Sequence, residues 1–276
     1  MNFIDVAMNT STFDLFPQIA VRWADAKDFF NAQFSSSVIG SLAGAGFGAW
    51  GAQRIAERAK LRDEIKREIR NTNTAIMIAH SICNSLLSMK AQHVKGVKER
   101  FDSQRSAILV HNEKRRLGQV GRDVIFRFEA DFQTLTLPDL PIEILQRETF
   151  EKLSLVGRPI SLVITLFQTL QALKWSFEKR NQQIDGLREN PVSNDILAAL
   201  YFGLPVNDNI DRNYPDAIDA ICSQTDDAIF FSHLLCDDLR IYGEEVSDKF
   251  NRKFGKDVPR INQAYFTKSE SAGLLP

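Results

Sequence analysis

Between Asp28 and Arg54 the chain runs for 25 residues without a charged side chain, and inside that run Gly40, Gly44, Gly48 and Ala52 recur at every fourth position. Residues four apart fall on one face of a helix, so this spacing lines small side chains into a stripe where a second helix can approach to backbone contact. A membrane-spanning helix needs about 20 mostly apolar residues. The run is long enough, although Asn31, Gln33, Gln53 and four serines dilute it. Val38, Ile39, Leu42, Phe47 and Trp50 supply apolar bulk away from the stripe. The expectation is a transmembrane helix over 36–53 that carries a glycine-zipper packing face formed by Gly40, Gly44, Gly48 and Ala52.

The flanks of the run are asymmetric. Arg54, Arg58, Lys60, Arg62, Lys66, Arg67 and Arg70 follow it at once, whereas residues 1–28 are net acidic. By the positive-inside rule this orients a single-pass protein of the cell membrane with its N-terminus outside and its C-terminal domain in the cytoplasm. These seven cations are the candidate membrane-surface residues, each contributing on the order of 1 kcal/mol beside anionic lipid. Residues 1–35, with Trp23, Phe29, Phe30 and Phe34 beside Asp25, Lys27 and Asp28, fit an interfacial segment, or equally an element packed on the protein's own core.

The formal charge of -1 conceals a division along the chain: residues 54–116 hold 15 Lys/Arg against 7 Asp/Glu, so acidic residues predominate on either side. Cys83, Cys222 and Cys236 form no CxxC pair, which suits a reducing compartment. The N-terminus is acidic where a secretory signal is positive, and it is expected to be retained.

The elements read as mainly α. One helix continues from the span to about Lys90, where Ile65, Ile69, Thr72, Ile76, Ala79, Cys83 and Leu86 step by four and three residues, a heptad seam that suits a coiled coil or an intramolecular helix pair. A second helix over 97–116 would complete a long basic helical hairpin, 54–118, ahead of a helical domain, 119–276. Within that domain Val124, Phe126, Phe128, Ala130 and Phe132 alternate with Ile125, Arg127, Glu129 and Asp131, the period of a strand, and this is the one short extended segment expected. Helices follow at 142–154, from Pro159, at 193–202, and from Pro215 to near Gly243, the last bounded by the proline and glycine that favour helix starts and stops. The uncharged stretch 159–173 is too short for a second span and reads as core.

Chemistry is harder to find. Asp226, His233 and Asp237 share a helix face and would serve a metal-dependent enzyme, soluble or peripheral, yet a seven-residue gap is about 10 Å of helix, too long for two side chains to share one ion unaided. His80 and Cys83 form half a zinc site with no second half. The Asn207–Asn213 loop lacks the glycine and glutamate of a calcium loop. No catalytic residue, cofactor or metal ligand is assigned, and nucleic acid is not an expected partner of the basic block, which lacks interleaved aromatics. What remains is a membrane-anchored helical protein that works by self-association or by pairing with a partner membrane helix, either as a scaffold or as a membrane-active effector of a toxin or antiviral-defence kind.

Overall fold

The computed structural model describes residues 33–121, 124–190, 192–206, 209–255, 259–266 and 273–274, with side chains from residue 40 onward. The expected interfacial segment 1–35 lies almost wholly outside them. The chain is mainly helical: α1 (Gln33–Met89), a π-helical turn (Lys90–Val94), α2 (Lys95–Arg116), α3 (Ile142–Lys152), α4 (Arg158–Glu189), α5 (Asn194–Phe202) and α6 (Asn213–Phe254). Residues 1–61 and 62–276 form two compact units, and α1 contributes to both.

In the larger unit the heptad seam of α1 is core. All seven of its residues, from Ile65 to Leu86, are at most 3% exposed. Their cover is intramolecular, because α1 runs antiparallel to α6: Lys66 sits over the Phe250 ring, a Cβ at Gly243 would meet Thr72, Cys83 Sγ lies 3.9 Å from the Ile229 carbonyl, and Lys90 pairs with Asp226. α4 packs along α6 as well and closes the bundle with Leu162, Val163, Leu166, Leu170, Leu173 and Phe177. The stretch 159–173 is therefore a core helix, as its length requires.

Three expectations are revised. The first concerns the hairpin 54–118: helical backbone continues from α1 through the π turn into α2, whose N-terminal flank Val94 keeps right-handed helical angles, so there is no reversal between the two helices. The second concerns Gly243, which does not end α6. It is buried mid-helix, where an added Cβ would come within 3.0 Å of Ile261 and 3.2 Å of Thr72, so this glycine permits close approach, and Gly255 at φ +90° follows the true end. The third concerns 36–53. The segment is helical, but no described helix is long and apolar enough to cross a membrane, since the serines, glutamines and glycines lower its apolarity too far.

Residues 124–132 form no strand, although burial alternates with the expected period of two from Ile125 to Ala130; Val124, expected inward, is exposed. Phe126 packs on His111, Phe128 on Phe202, and Phe132 on Tyr201. The described strands are a two-residue antiparallel pair, β1 (Pro205–Val206) and β2 (Asn209–Ile210).

Candidate functional site

The glycine stripe belongs to the N-terminal part of α1, and no described residue covers its glycines. At Gly40, Gly44 and Gly48 an added Cβ would find no described atom within 4 Å, and Ala52 is exposed. The large apolar side chains around the stripe are in the same condition, with Leu42 67%, Phe47 74%, Trp50 56% and Ile55 73% exposed. Proline is absent from the run, so its helix is uninterrupted, although its glycines and serines are weak helix formers. Its solvent-facing apolar surface has no such local explanation, because surface helices ordinarily bury one stripe and solvate the other.

The basic residues begin on the same helix. Arg54 lies over the Trp50 ring at 4.5 Å from its centroid. Arg54, Arg58, Lys60, Arg62, Arg67 and Arg70 are exposed, while Lys66 is half-buried against Phe250. Glu57, Asp63, Glu64 and Glu68 are interspersed among them, so the run 54–70 is a mixed surface with a positive excess rather than a pure cationic patch.

Farther along, the cations turn inward. Lys90 reaches Asp226 at 2.7 Å and donates to the Leu274 carbonyl, Lys98 pairs with Asp102 and Asp219, and Arg100 pairs with Asp131 at 2.7 Å. Burial alone would lower the Lys98 pKa, but hydrogen bonds to the two carboxylates outweigh it and the ammonium is held above its ordinary value. Much of the second basic centre thus neutralises the acidic C-terminal half of the chain.

The metal candidates are not brought together. Asp226 is taken by Lys90, Asp237 lies 4.0 Å from Arg240, and the His233 ring packs on Phe266, whose ring also meets His80. Among the described residues no group of three or more His, Cys, Asp or Glu side chains is placed to hold an ion. Cys83 is buried, and desolvation pushes its thiol up to about 11, which suits packing and disfavours a thiolate ligand or nucleophile.

Two clefts lie elsewhere on the bundle, the second of them including His80. One, of about 720 Å³, separates the 135–144 connection from α4, between Leu137 and Ile142 on one wall and Gln171, Lys174 and Glu178 on the other. The second, of about 670 Å³, follows α1 into the π turn and is lined by His80, Ser81, Asn84, Ser85, Gln92 and His93. Its lining is neutral and rich in hydrogen-bonding groups, beside the kind of irregular helical turn that often marks functional sites.

Sequence reasoning missed the anchoring of the segment 131–135. Arg180, fully buried, donates to the Asp131 and Gln133 carbonyls at 3.2 and 2.7 Å. The Asn181 amide makes both hydrogen bonds that a neighbouring strand would make to Leu135, 3.1 Å to its N–H and 2.7 Å to its carbonyl. Tyr201 accepts from the Asp131 N–H at 3.0 Å. An arginine one position before an asparagine on the core face of an apolar helix was the only available signal. Compared with known proteins, the chain matches no family model, no curated protein and no solved structure.

Proposed function

We propose that this chain acts by association rather than by chemistry, with Gly40, Gly44, Gly48 and Ala52 of α1 packing against a helix of a second copy or of a partner at the cell membrane. The observation that carries the reading is the apolar surface between Leu42 and Ile55, which no described residue buries, on a helix whose later large apolar residues, Met77 aside, are buried or half-buried. Glycine costs a helix interior up to about 1 kcal/mol relative to alanine, and five of them in an isolated exposed segment leave it in need of a cover. Large exposed apolar groups in contiguous array mark interaction surfaces.

In this proposal the membrane contacts Arg54, Arg58, Lys60, Arg62, Lys66, Arg67 and Arg70 on the side facing anionic lipid. The single-pass arrangement, N-terminus outside and helical domain in the cytoplasm, is assigned only to the assembled form. A lone helix of this composition is too polar to cross, whereas copies packed on their glycine faces shield the serines and glycine backbones from lipid.

Fractionation of expressing cells tests the location: the protein should stay with membranes after an alkaline carbonate wash, and full recovery in the soluble fraction sinks the proposal. Gly44→Leu tests the surface. Leucine raises helix propensity, and the position is open, so loss of association in this variant reports the packing face and not unfolding. Growth arrest on overexpression that Gly44→Leu abolishes would identify a membrane-active effector of the toxin or defence kind; harmless expression would identify a scaffold.

A further inference from the structure

The segment from Ile125 to Ala130 has the attributes of a β-strand except a partner. Its burial alternates, with Phe126, Phe128 and Ala130 turned toward the bundle and Ile125, Arg127 and Glu129 turned out. Phe126 is fixed by His111 at 5.4 Å between ring centroids, and Phe128 by Tyr201 and Phe202 at 5.7 and 5.0 Å, so the inward face is anchored along the length of the segment. Among the described residues no hydrogen bond engages the backbone N–H and C=O groups between Ile125 and Ala130. The contrast with the next residues is sharp. From Asp131 to Leu135 side chains of Arg180, Asn181, Tyr201 and Arg188 take up the backbone groups one after another. Up to Ala130 the same chain is left as a bare edge, and a bare edge is a template for another strand.

The outward side chains say which strand. Arg127 and Glu129 are both exposed, and among the described residues neither has an ion-pair partner. Two copies of the segment related by a two-fold axis perpendicular to the paired strands must match residues of the same face, so the two numbers of every facing pair sum to an even value. If Arg127 faced its own copy, two guanidinium groups would meet; if Glu129 faced its own copy, two carboxylates would. The register between those two centres on Phe128. It sets Arg127 opposite the second copy's Glu129 and Glu129 opposite its Arg127, and it brings Phe126 opposite the second copy's Ala130, so that the pairing uses only backbone groups no other residue engages.

We infer that Ile125–Ala130 is a self-complementary β-edge through which two copies of this chain pair antiparallel about Phe128, held by reciprocal Arg127–Glu129 contacts. This interface lies in the helical domain. It stands independently of the glycine-stripe reading.

The test uses full-length protein in detergent, with self-association measured by sedimentation velocity over a dilution series. Arg127→Glu sets two like-charged pairs across the axis and should weaken association by about tenfold. The exchanged variant, Arg127→Glu with Glu129→Arg, restores opposite charges and should return the affinity to within about twofold of the parent. Both side chains are exposed, so helicity by circular dichroism should be unchanged in either variant. Hydrogen exchange should slow with rising protein concentration at alternate amides between Ile125 and Ala130, those whose N–H points at the second strand, because only strand pairing supplies their partners. In a Gly44→Leu background the Arg127→Glu effect should persist. The inference is overturned if the single and exchanged variants associate alike, if amide exchange there is independent of concentration, or if Gly44→Leu alone leaves a monomer at every concentration.

Discussion

Two substitutions on α1, Ile76→Ala and Phe47→Ala, separate the part of that helix which holds the fold from the part which waits for a partner. Ile76 is fully buried in the seam against α6, so truncation removes its transfer free energy and leaves a cavity, at a cost of about 2 to 5 kcal/mol. Phe47 is 74% exposed, and its truncation takes little from the folded chain, within about 0.5 kcal/mol. With a loss of about 3 kcal/mol and a urea slope of about 3 kcal/mol/M, Ile76→Ala should lower the unfolding midpoint by about 1 M. Phe47→Ala should leave the midpoint of monomeric protein in place. Association should respond in the opposite order: Phe47→Ala weakens it and Ile76→Ala, at urea concentrations where the protein stays folded, does not. Urea titration by circular dichroism and Trp fluorescence, paired with sedimentation at matched concentrations, reads both quantities. Equal midpoint shifts for the two variants would refute the division of α1, and so would unchanged association of Phe47→Ala.

Gly243→Leu should destabilise the chain by at least about 1 to 3 kcal/mol, because Ile261 and Thr72 already crowd the position of its Cβ, and thermal unfolding beside Gly44→Leu, which meets open space, will show the difference. Asp131 titrates below the ordinary carboxylate range: burial alone would raise it, but the Arg100 hydrogen bond, the Gln133 N–H and the Arg180 charge prevail. A depressed carboxyl pKa contributes stability above its unfolded value and loses it as pH falls through the folded value, so Asp131→Asn should flatten the decline in stability below about pH 4. Burial raises the pKa of all three thiols, with Asp226 adding to it at Cys222, but only Cys222 is partly accessible, so native protein at pH 8 should react with one equivalent of a thiol reagent and with three only after denaturation.

What was legible in the chain depends on how local its cause is. The seam from Ile65 to Leu86 could be read because a repeating step of three and four residues is the geometry of one helix face, and burial follows from it. The ends of α3 and α5 could be placed within about two residues because caps and prolines act locally. Gly243 was misread because a glycine that stops a helix and a glycine that admits a neighbour look alike until the neighbour is known; here the neighbours are Thr72 and Ile261, far away in sequence. The segment 124–135 shows a subtler limit. Its period of two named Phe126, Phe128, Ala130 and Phe132 as inward, with Val124 the exception, but a strand needs a ladder, and the groups that replace the ladder are side chains 46 to 70 residues later. Of the candidate site, the stripe and its basic flank were plain in the sequence, whereas the inward pairing of Lys90, Lys98 and Arg100 depended on which acidic helix lay alongside.

α1 contains two uncharged stretches, and their comparison gives the glycine run its meaning. Residues 71–89 carry no charge either, yet there the apolar positions other than Met77 lie on and beside the seam and the remaining outward ones are Asn, Thr, Ser and His, so one face is buried and the other is largely solvated. In 40–53 the large apolar residues and the small ones are exposed together, and no described side chain answers them. Lack of charge is therefore not the distinguishing property, since both stretches share it. The difference is that residues 71–89 have their partner, α6, within the chain, whereas residues 40–53 have none among the described residues. A helix whose uncharged residues include five glycines gains little from staying helical in water, and each turn of it becomes favourable only when a second surface removes Leu42, Phe47 and Trp50 from solvent. The stripe thus decides how close that surface comes, and the bulky residues decide how much is gained when it arrives.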